Sequence, residues 1–361
     1  MSLTLTVDGD RWRRHLRTVA EGNAGLVPVA KGNGYGFGIG RLARRSEWLG
    51  VDTLAMGTYF ELAEVAQRFA GDLLVLTPWR PSGQLPDEEL PPGRVIHTVS
   101  RLADLVTLLD REPAARVVLE RLTSMRRHGM SAEDLRAAGD LMSRRPARLE
   151  GVAFHLPLAS GSHLSEVVRL VNDVVAAELP TRTLWVSHLT GAELASLRAS
   201  HADFAVRPRI GTALWLGDHE ALRVTSTVLD VHEVERGDVF GYRGRTAPRA
   251  GHLVVVSGGT AHGIGLEAPT GDHSMRARAA TLARGGLDAV GFVRSPFTID
   301  GKLRLFAEPP HMQASMLFLP HGPRVPVVGE EIAVRVRHTI ASFDRVVVTG
   351  PAGAPRGASQ P

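Results

Sequence analysis

The chain has 361 residues, 43% of them hydrophobic and 22% charged, with a formal net charge of +4 and no cysteine. That balance suits one large or two medium globular domains and excludes pervasive disorder, and the missing cysteines remove disulfides, thiolate nucleophiles, iron–sulfur clusters and cysteine zinc sites. No run reaches the roughly 18 to 20 uncharged apolar residues of a membrane span, and the opening MSLTLTVDGDRWRRHLR lacks a signal peptide's apolar stretch, so a cytoplasmic protein is expected.

Short β-branched or apolar runs recur at residues 27–30, 53–57, 73–77, 95–99, 116–120, 151–155, 183–187 and 204–207, each followed by Ala, Leu, Arg and Glu at helical spacing. Eight strand-then-helix units in this length predict a (β/α)8 TIM-type barrel over residues 8–218, with a doubly wound open sheet as its competitor. Beyond it the texture changes to strands and turns, VTSTVLDVHEV, GDVFGY, HLVVVSGG, HMQASMLFLP, EIAVRVRH and FDRVVVTG, which predicts a C-terminal mainly-β domain over 219–350. The tail 351–361, PAGAPRGASQP, is expected to be disordered.

A barrel carries its chemistry just past the C-terminal ends of its strands. Lys31, Glu120, Arg127, His155, Ser187, His188 and Arg209 all fall there. Only Lys31 and Lys302 among the 42 basic residues are lysines. In so arginine-biased a chain, Lys31 points to what arginine cannot do, which is to lose its proton and form an imine. It lies in VPVAKGNGYGFGIG, whose small residues let a flat, bulky group approach the backbone, with Tyr35 four residues on. A plain strand-to-helix loop would read the same way.

The run around Lys31 resembles the lysine motif of the alanine racemase family, two-domain pyridoxal-phosphate enzymes. The resemblance continues in order through LTSMRRHGM, GVAFHLPL, VSHLTGAEL, RPRIGTALWLG, GGTAHGIG and PPHMQASM. It implies a pyridoxal 5'-phosphate cofactor carried as an imine by Lys31, with Arg127 near its phenolic oxygen and the substrate and His155 beside it. It further implies Arg209 at the pyridine nitrogen, and Tyr35, Thr190, Gly211 and Thr212 around the phosphate. Met312 and the neighbouring His311 would approach the substrate. The implied reaction is racemisation of a small amino acid in a head-to-tail homodimer whose partner subunit completes each site; the family's usual role is D-alanine supply for peptidoglycan.

One departure bears on mechanism. The family's second acid/base is a tyrosine of the β domain, and Thr260 stands in its place, too short and too weakly acidic to replace a phenol. Three readings follow: His262 or His311 supplies the second proton; the enzyme performs another reaction at Cα, such as decarboxylation or one-base exchange; or the chain is a non-catalytic cofactor binder. Glu120 falls where the family often has a carbamylated lysine, and reads equally as an ordinary ion-pair partner of Arg121 or Arg127. Gln313 and Phe343 replace a family aspartate and a phosphate-binding tyrosine. His15, His201, His219 and His252 are read as surface or turn histidines, and no spacing suggests a metal site. The arginine-rich helical faces lack interleaved aromatics, so no nucleic-acid partner is expected.

Overall fold

All eight strands expected between residues 27 and 209 are present as neighbours in one parallel sheet. They are β2 (Val27–Pro28), β3 (Thr53–Met56), β4 (Asp72–Val75), β5 (Val95–Val99), β6 (Arg116–Arg121), β7 (Arg148–His155), β8 (Thr183–Ser187) and β9 (Ala205–Ile210), preceded in the chain by β1 (Leu3–Asp8). The order β2-β9-β8-β7-β6-β5-β4-β3 closes through a parallel bridge from Val29 to Ala55, so the sheet is a barrel and not an open doubly wound sheet. The computed structural model describes residues 2–83, 93–158, 161–266 and 293–350; the expected tail 351–361 lies outside the described residues.

Most of these strands bury apolar side chains on both faces, as parallel strands under a layer of helices do. Val27, Ala55, Leu74, Ile96, Val118, Ala153 and Trp185, one from each of seven consecutive strands, meet in the interior. Helices α1 (Gly9–Glu21), α2 (Ile39–Leu49), α3 (Leu62–Ala66), α4 (Leu102–Arg111), α5 (Ala132–Met142), α6 (Leu164–Ala176), α7 (Gly191–Ser200) and α8 (Thr212–Leu216) follow in the connections. Capping boxes at Ser131 and Thr190 start α5 and α7.

Strand β7 carries a bulge against β6, where Val117 pairs with Leu149 but Val118 with Gly151. Gly151 has φ +145, and a Cβ built there would lie 2.5 Å from both the Thr183 carbonyl oxygen and Trp185 Nε1. Gly151→Ala is therefore expected to destabilise the barrel by about 1–3 kcal/mol, as overpacking a tight interior does. Urea unfolding midpoints of the two proteins check this.

The chain divides into two compact units, one spanning Arg13–Gly217 and one made of the residues up to Trp12 with the described residues from Asp218 onward. LTLTVD, which runs up to the expected barrel start at 8, is a strand of the other unit. Leu3, Leu5 and Val7 are fully buried, and β1 pairs antiparallel with β10 (Leu222–Val234) and parallel with β18 (Arg345–Thr349). The remaining strands of this unit are β11 (Val239–Phe240), β12 (Arg245–Thr246), β13 (Gly251–Ser257), β14 (Arg294–Ile299), β15 (Lys302–Phe306), β16 (Ala314–Pro320) and β17 (Glu331–Val334). The first half of β10 pairs with β1 and β17, and after an irregularity between Val228 and Asp230 its second half pairs with β13, which closes the main sheet on itself. Among the described residues no helix is long and apolar enough to cross a membrane.

Candidate active site

Lys31 follows β2 at the C-terminal mouth of the barrel. The loop after it is shaped locally: Gly34 at φ +60 lets the chain turn back on Ile39, whose amide nitrogen would lie 2.5 Å from an added Cβ. Asn33 Oδ1 accepts the Tyr35 amide at 3.1 Å, and Glu61 accepts the amides of Gly32 and Gly57 at 2.9 and 2.6 Å. Desolvation of its amine, then the charges of Arg127 and Arg209, hold Lys31 below the usual lysine value against the opposing pull of Glu61. A lysine so placed gives up its proton more readily than one on an open surface.

Strand β9 brings in Arg209, Gly211 and Thr212. Tyr35 is buried, which raises its phenol above the ordinary value, and its hydroxyl reaches Thr212. A Cβ at Gly211 would collide with that phenol oxygen, so the close approach requires glycine. Trp215 Nε1 donates to the Val29 carbonyl at 2.8 Å and ties α8 to the end of β2.

Arg209 is buried, and desolvation lowers it to about 10 despite the charge of Glu120; it is still a cation at neutral pH. Its Nη2 donates to the Phe154 carbonyl at 3.1 Å, while its Nε has no partner. Glu120, also buried, is raised by desolvation against the pull of Arg209, Arg127 and Arg80, and its Oε2 accepts no hydrogen bond. Of the two arginines considered as its partners, Arg121 instead pairs with Asp173 at 2.9 Å. Exposed Arg127 lies in the loop after β6, near enough for its charge to act on Lys31, Glu120 and His155.

His155 ends β7 with Nδ1 2.8 Å from Ser187 Oγ and its ring 5.1 Å from that of His188. Burial, then the charges of Arg209 and Arg127, push it down to about 3, so it works as a neutral ring at physiological pH. An unfolded chain protonates this histidine below about pH 6.5, whereas the folded chain does so only near 3. Its contribution to stability is complete above 6.5 and is lost as pH falls toward 3. We expect His155→Gln to lose less stability than the parent over that window, measured by urea midpoints at stepped pH.

Thr190 serves as the α7 cap: its Oγ1 accepts from the Glu193 amide at 3.2 Å and donates to Glu193 Oε2 at 2.9 Å. The hydroxyl expected near a phosphate thus has two local partners already. Thr190 and Glu193 stand in the capping-box spacing, so this could have been read from the sequence.

The β unit separates the two histidine candidates. His262 is buried, with Nδ1 accepting the Gly259 amide at 3.2 Å and Nε2 3.0 Å from Asp344. Both nitrogens therefore pin the turn after β13, which argues against the acid/base role considered for it. His311 is half-buried, its Nε2 2.7 Å from Oε1 of the buried Glu308, an arrangement that fixes the ring as a buried carboxylate orients a catalytic imidazole. The backbone brings the candidates together: the Thr260 and Ala261 amides donate to the His311 and Met312 carbonyls at 2.8 and 3.0 Å. Thr260 is exposed and Met312 is 70% exposed. The sequence reading passed over Glu308, Asp344 and Tyr242, whose exposed ring packs edge-on at 4.8 Å from His311.

The arrangement supplies a depressed lysine amine among fixed cations, a hydroxyl pair over a glycine, and, in the other unit, a carboxylate-oriented imidazole. A model of the alanine racemase N-terminal domain matches residues 7–218. The alanine racemase of Nitratidesulfovibrio vulgaris is 28% identical over 272 residues, 69% of this chain and 72% of the relative. That of a Nitratiruptor species is 29% identical over 146 residues, so the alignment spans only 40% of each chain. Among solved structures, the alanine racemase of Bartonella henselae, described with covalently bound pyridoxal phosphate, matches with a TM-score of 0.67 at 18% identity over 94% of this chain and 91% of its own. The Streptomyces lavendulae enzyme matches at 0.67 and 20% identity, over 92% of this chain and 87% of its own. These structural likenesses speak for the fold.

Proposed function

Because the chain belongs to the alanine racemase family, we propose that it inverts a small amino acid by moving the α-proton between the two faces of Cα, with Lys31 on one face and His311 of the partner subunit on the other. The cofactor is pyridoxal phosphate. The residues present fit it: a lysine whose amine is depressed, and a glycine at 211 where any side chain would strike the Tyr35 phenol. Lys31 would hold the cofactor, Tyr35, Thr212 and the Gly211 backbone its phosphate, and Arg209 its ring nitrogen. When bound, it supplies an electron sink that weakens the bonds to Cα.

The chain's own residues then set the outcome. Arg209 keeps its charge, so a cofactor held there would have its ring nitrogen disfavoured as a proton acceptor, which would suit plain proton exchange. Arg127 orients the substrate's carboxylate, and neutral His155 stands by without adding charge. Lys31, eased toward neutrality by desolvation and neighbouring cations, takes or returns the proton on its face. Glu308 aims His311 for proton transfer on the other face.

The observation that carries this reading is the Glu308–His311 pair, since Thr260 offers no phenol and His262 has both nitrogens engaged. In D2O, L-alanine is expected to become D-alanine carrying solvent deuterium at Cα. Deuterium incorporation without inversion would instead support one-base exchange, the reading favoured by Thr260. A head-to-tail homodimer belongs to the proposal, with D-alanine for peptidoglycan as its use. Chains carrying Lys31→Ala and His311→Ala, each inactive alone, are then expected to regain activity on mixing and reassembly; no recovery would contradict a shared site.

A further inference from the structure

In the β unit, three residues far apart in sequence converge on one face of the sheet. Glu233 on β10 pairs directly across from His252 on β13, and His252 pairs in turn with Leu319 on β16. Side chains alternate along a strand, so His321, two residues past Leu319, falls on the face that holds His252. The His252 and His321 rings stand 5.3 Å apart and nearly perpendicular. One ligand atom from each of Glu233, His252 and His321 lies within 4.8 Å of the other two.

His252 Nδ1 is shut off from solvent and has no hydrogen-bond partner. A buried nitrogen left unsatisfied is unusual enough to ask for an explanation, and a bound ion is among the ordinary ones. The reading of His252 as a plain turn histidine is thereby revised: it sits on a central strand, between a carboxylate and a second imidazole.

We propose that Glu233, His252 and His321 form a binding site for a zinc-class divalent transition metal, independent of the pyridoxal phosphate chemistry. Two imidazoles and one carboxylate suit Zn2+, whereas Mg2+ and Ca2+ prefer all-oxygen sites. Three protein ligands leave a fourth position for water or another donor. Metal–ligand bonds of about 2.0–2.2 Å set tetrahedral ligand atoms about 3.3–3.6 Å apart, so the cluster has to close slightly. Glu233 and His321 are exposed and can turn inward to do so. The bound ion would tie β10 and β13 to the turn that begins at His321. Imidazoles bind metal only when unprotonated, so acidification would release it.

The test titrates tag-free, chelator-washed holoprotein with Zn2+ against a chromophoric competitor, with Co2+ as the spectroscopic probe and Mg2+ as the control. One Zn2+ per chain is expected, together with a four-coordinate Co2+ visible spectrum and a raised thermal midpoint that Mg2+ does not reproduce. His321→Ala and Glu233→Gln change exposed side chains, so both should fold and leave turnover unchanged. Each is expected to weaken Zn2+ at least about 10-fold, since even supporting groups around a metal ligand are worth about 10–100-fold. Absence of a stoichiometric ion, or Zn2+ affinity unmoved by both variants, overturns the proposal.

Discussion

Lys31→Ala and Lys31→Arg should both yield a folded chain that takes up no covalent cofactor and whose exchange of the α-proton falls by at least about 10²–10⁴-fold, the range for loss of a positioned acid/base. Arginine keeps the charge and much of the length, so its failure would isolate the need for an amine that can lose its proton. The composition makes the experiment clean, because the only other lysine is Lys302, exposed on β15. Borohydride reduction of the loaded protein should add the cofactor's mass to the peptide containing residue 31. Lys302→Arg should retain that adduct, and Lys31→Arg should lose it. An adduct surviving in Lys31→Arg would remove Lys31 from the centre of the account.

Arg209→Leu is expected to be the most destabilising change at the barrel mouth. Glu120 is buried with an oxygen that accepts no hydrogen bond, and Arg209 is the first of the three cations that favour its charged form. Removing Arg209 leaves a buried carboxylate with less cationic compensation, at about 1–3 kcal/mol. Glu120→Gln strands Arg209 in the same way, so the double variant should cost less than the sum by about 0.5–3 kcal/mol. Urea unfolding at a fixed cofactor concentration measures all three, because bound cofactor shifts the midpoint itself. Strictly additive effects would mean that the two groups do not depend on each other.

The barrel was legible because most of its strands are short apolar runs followed closely by a helix, a pattern written within about 25 residues. Strand β1 was not: its partners, Ser226 and Arg345, stand more than 200 and 300 residues away, and no local signal announces such pairings. The hairpin of β14 and β15 could have been read, since Asp300 and Gly301 both take positive φ and Asp-Gly between apolar runs is a strong turn signal. The same division holds for the site. Lys31, Tyr35, Arg209 and Gly211 stand in short recognisable segments. The roles of His262 and His311 depend instead on what each nitrogen touches, and the Asp344 and Tyr242 contacts join distant strands and loops. The Glu233, His252 and His321 cluster is likewise assembled by strand register alone.

The most direct test of two-face proton transfer follows α-deuterium loss separately from L- and D-alanine in His311→Ala, alongside the parent protein loaded with pyridoxal phosphate. The account predicts that the variant washes deuterium from one enantiomer at a rate near the parent's, through Lys31, while inversion and washout from the other enantiomer fall by about 10²–10⁴-fold. Equal washout from both enantiomers with inversion intact would show that His311 carries no proton and that the second acid/base lies elsewhere.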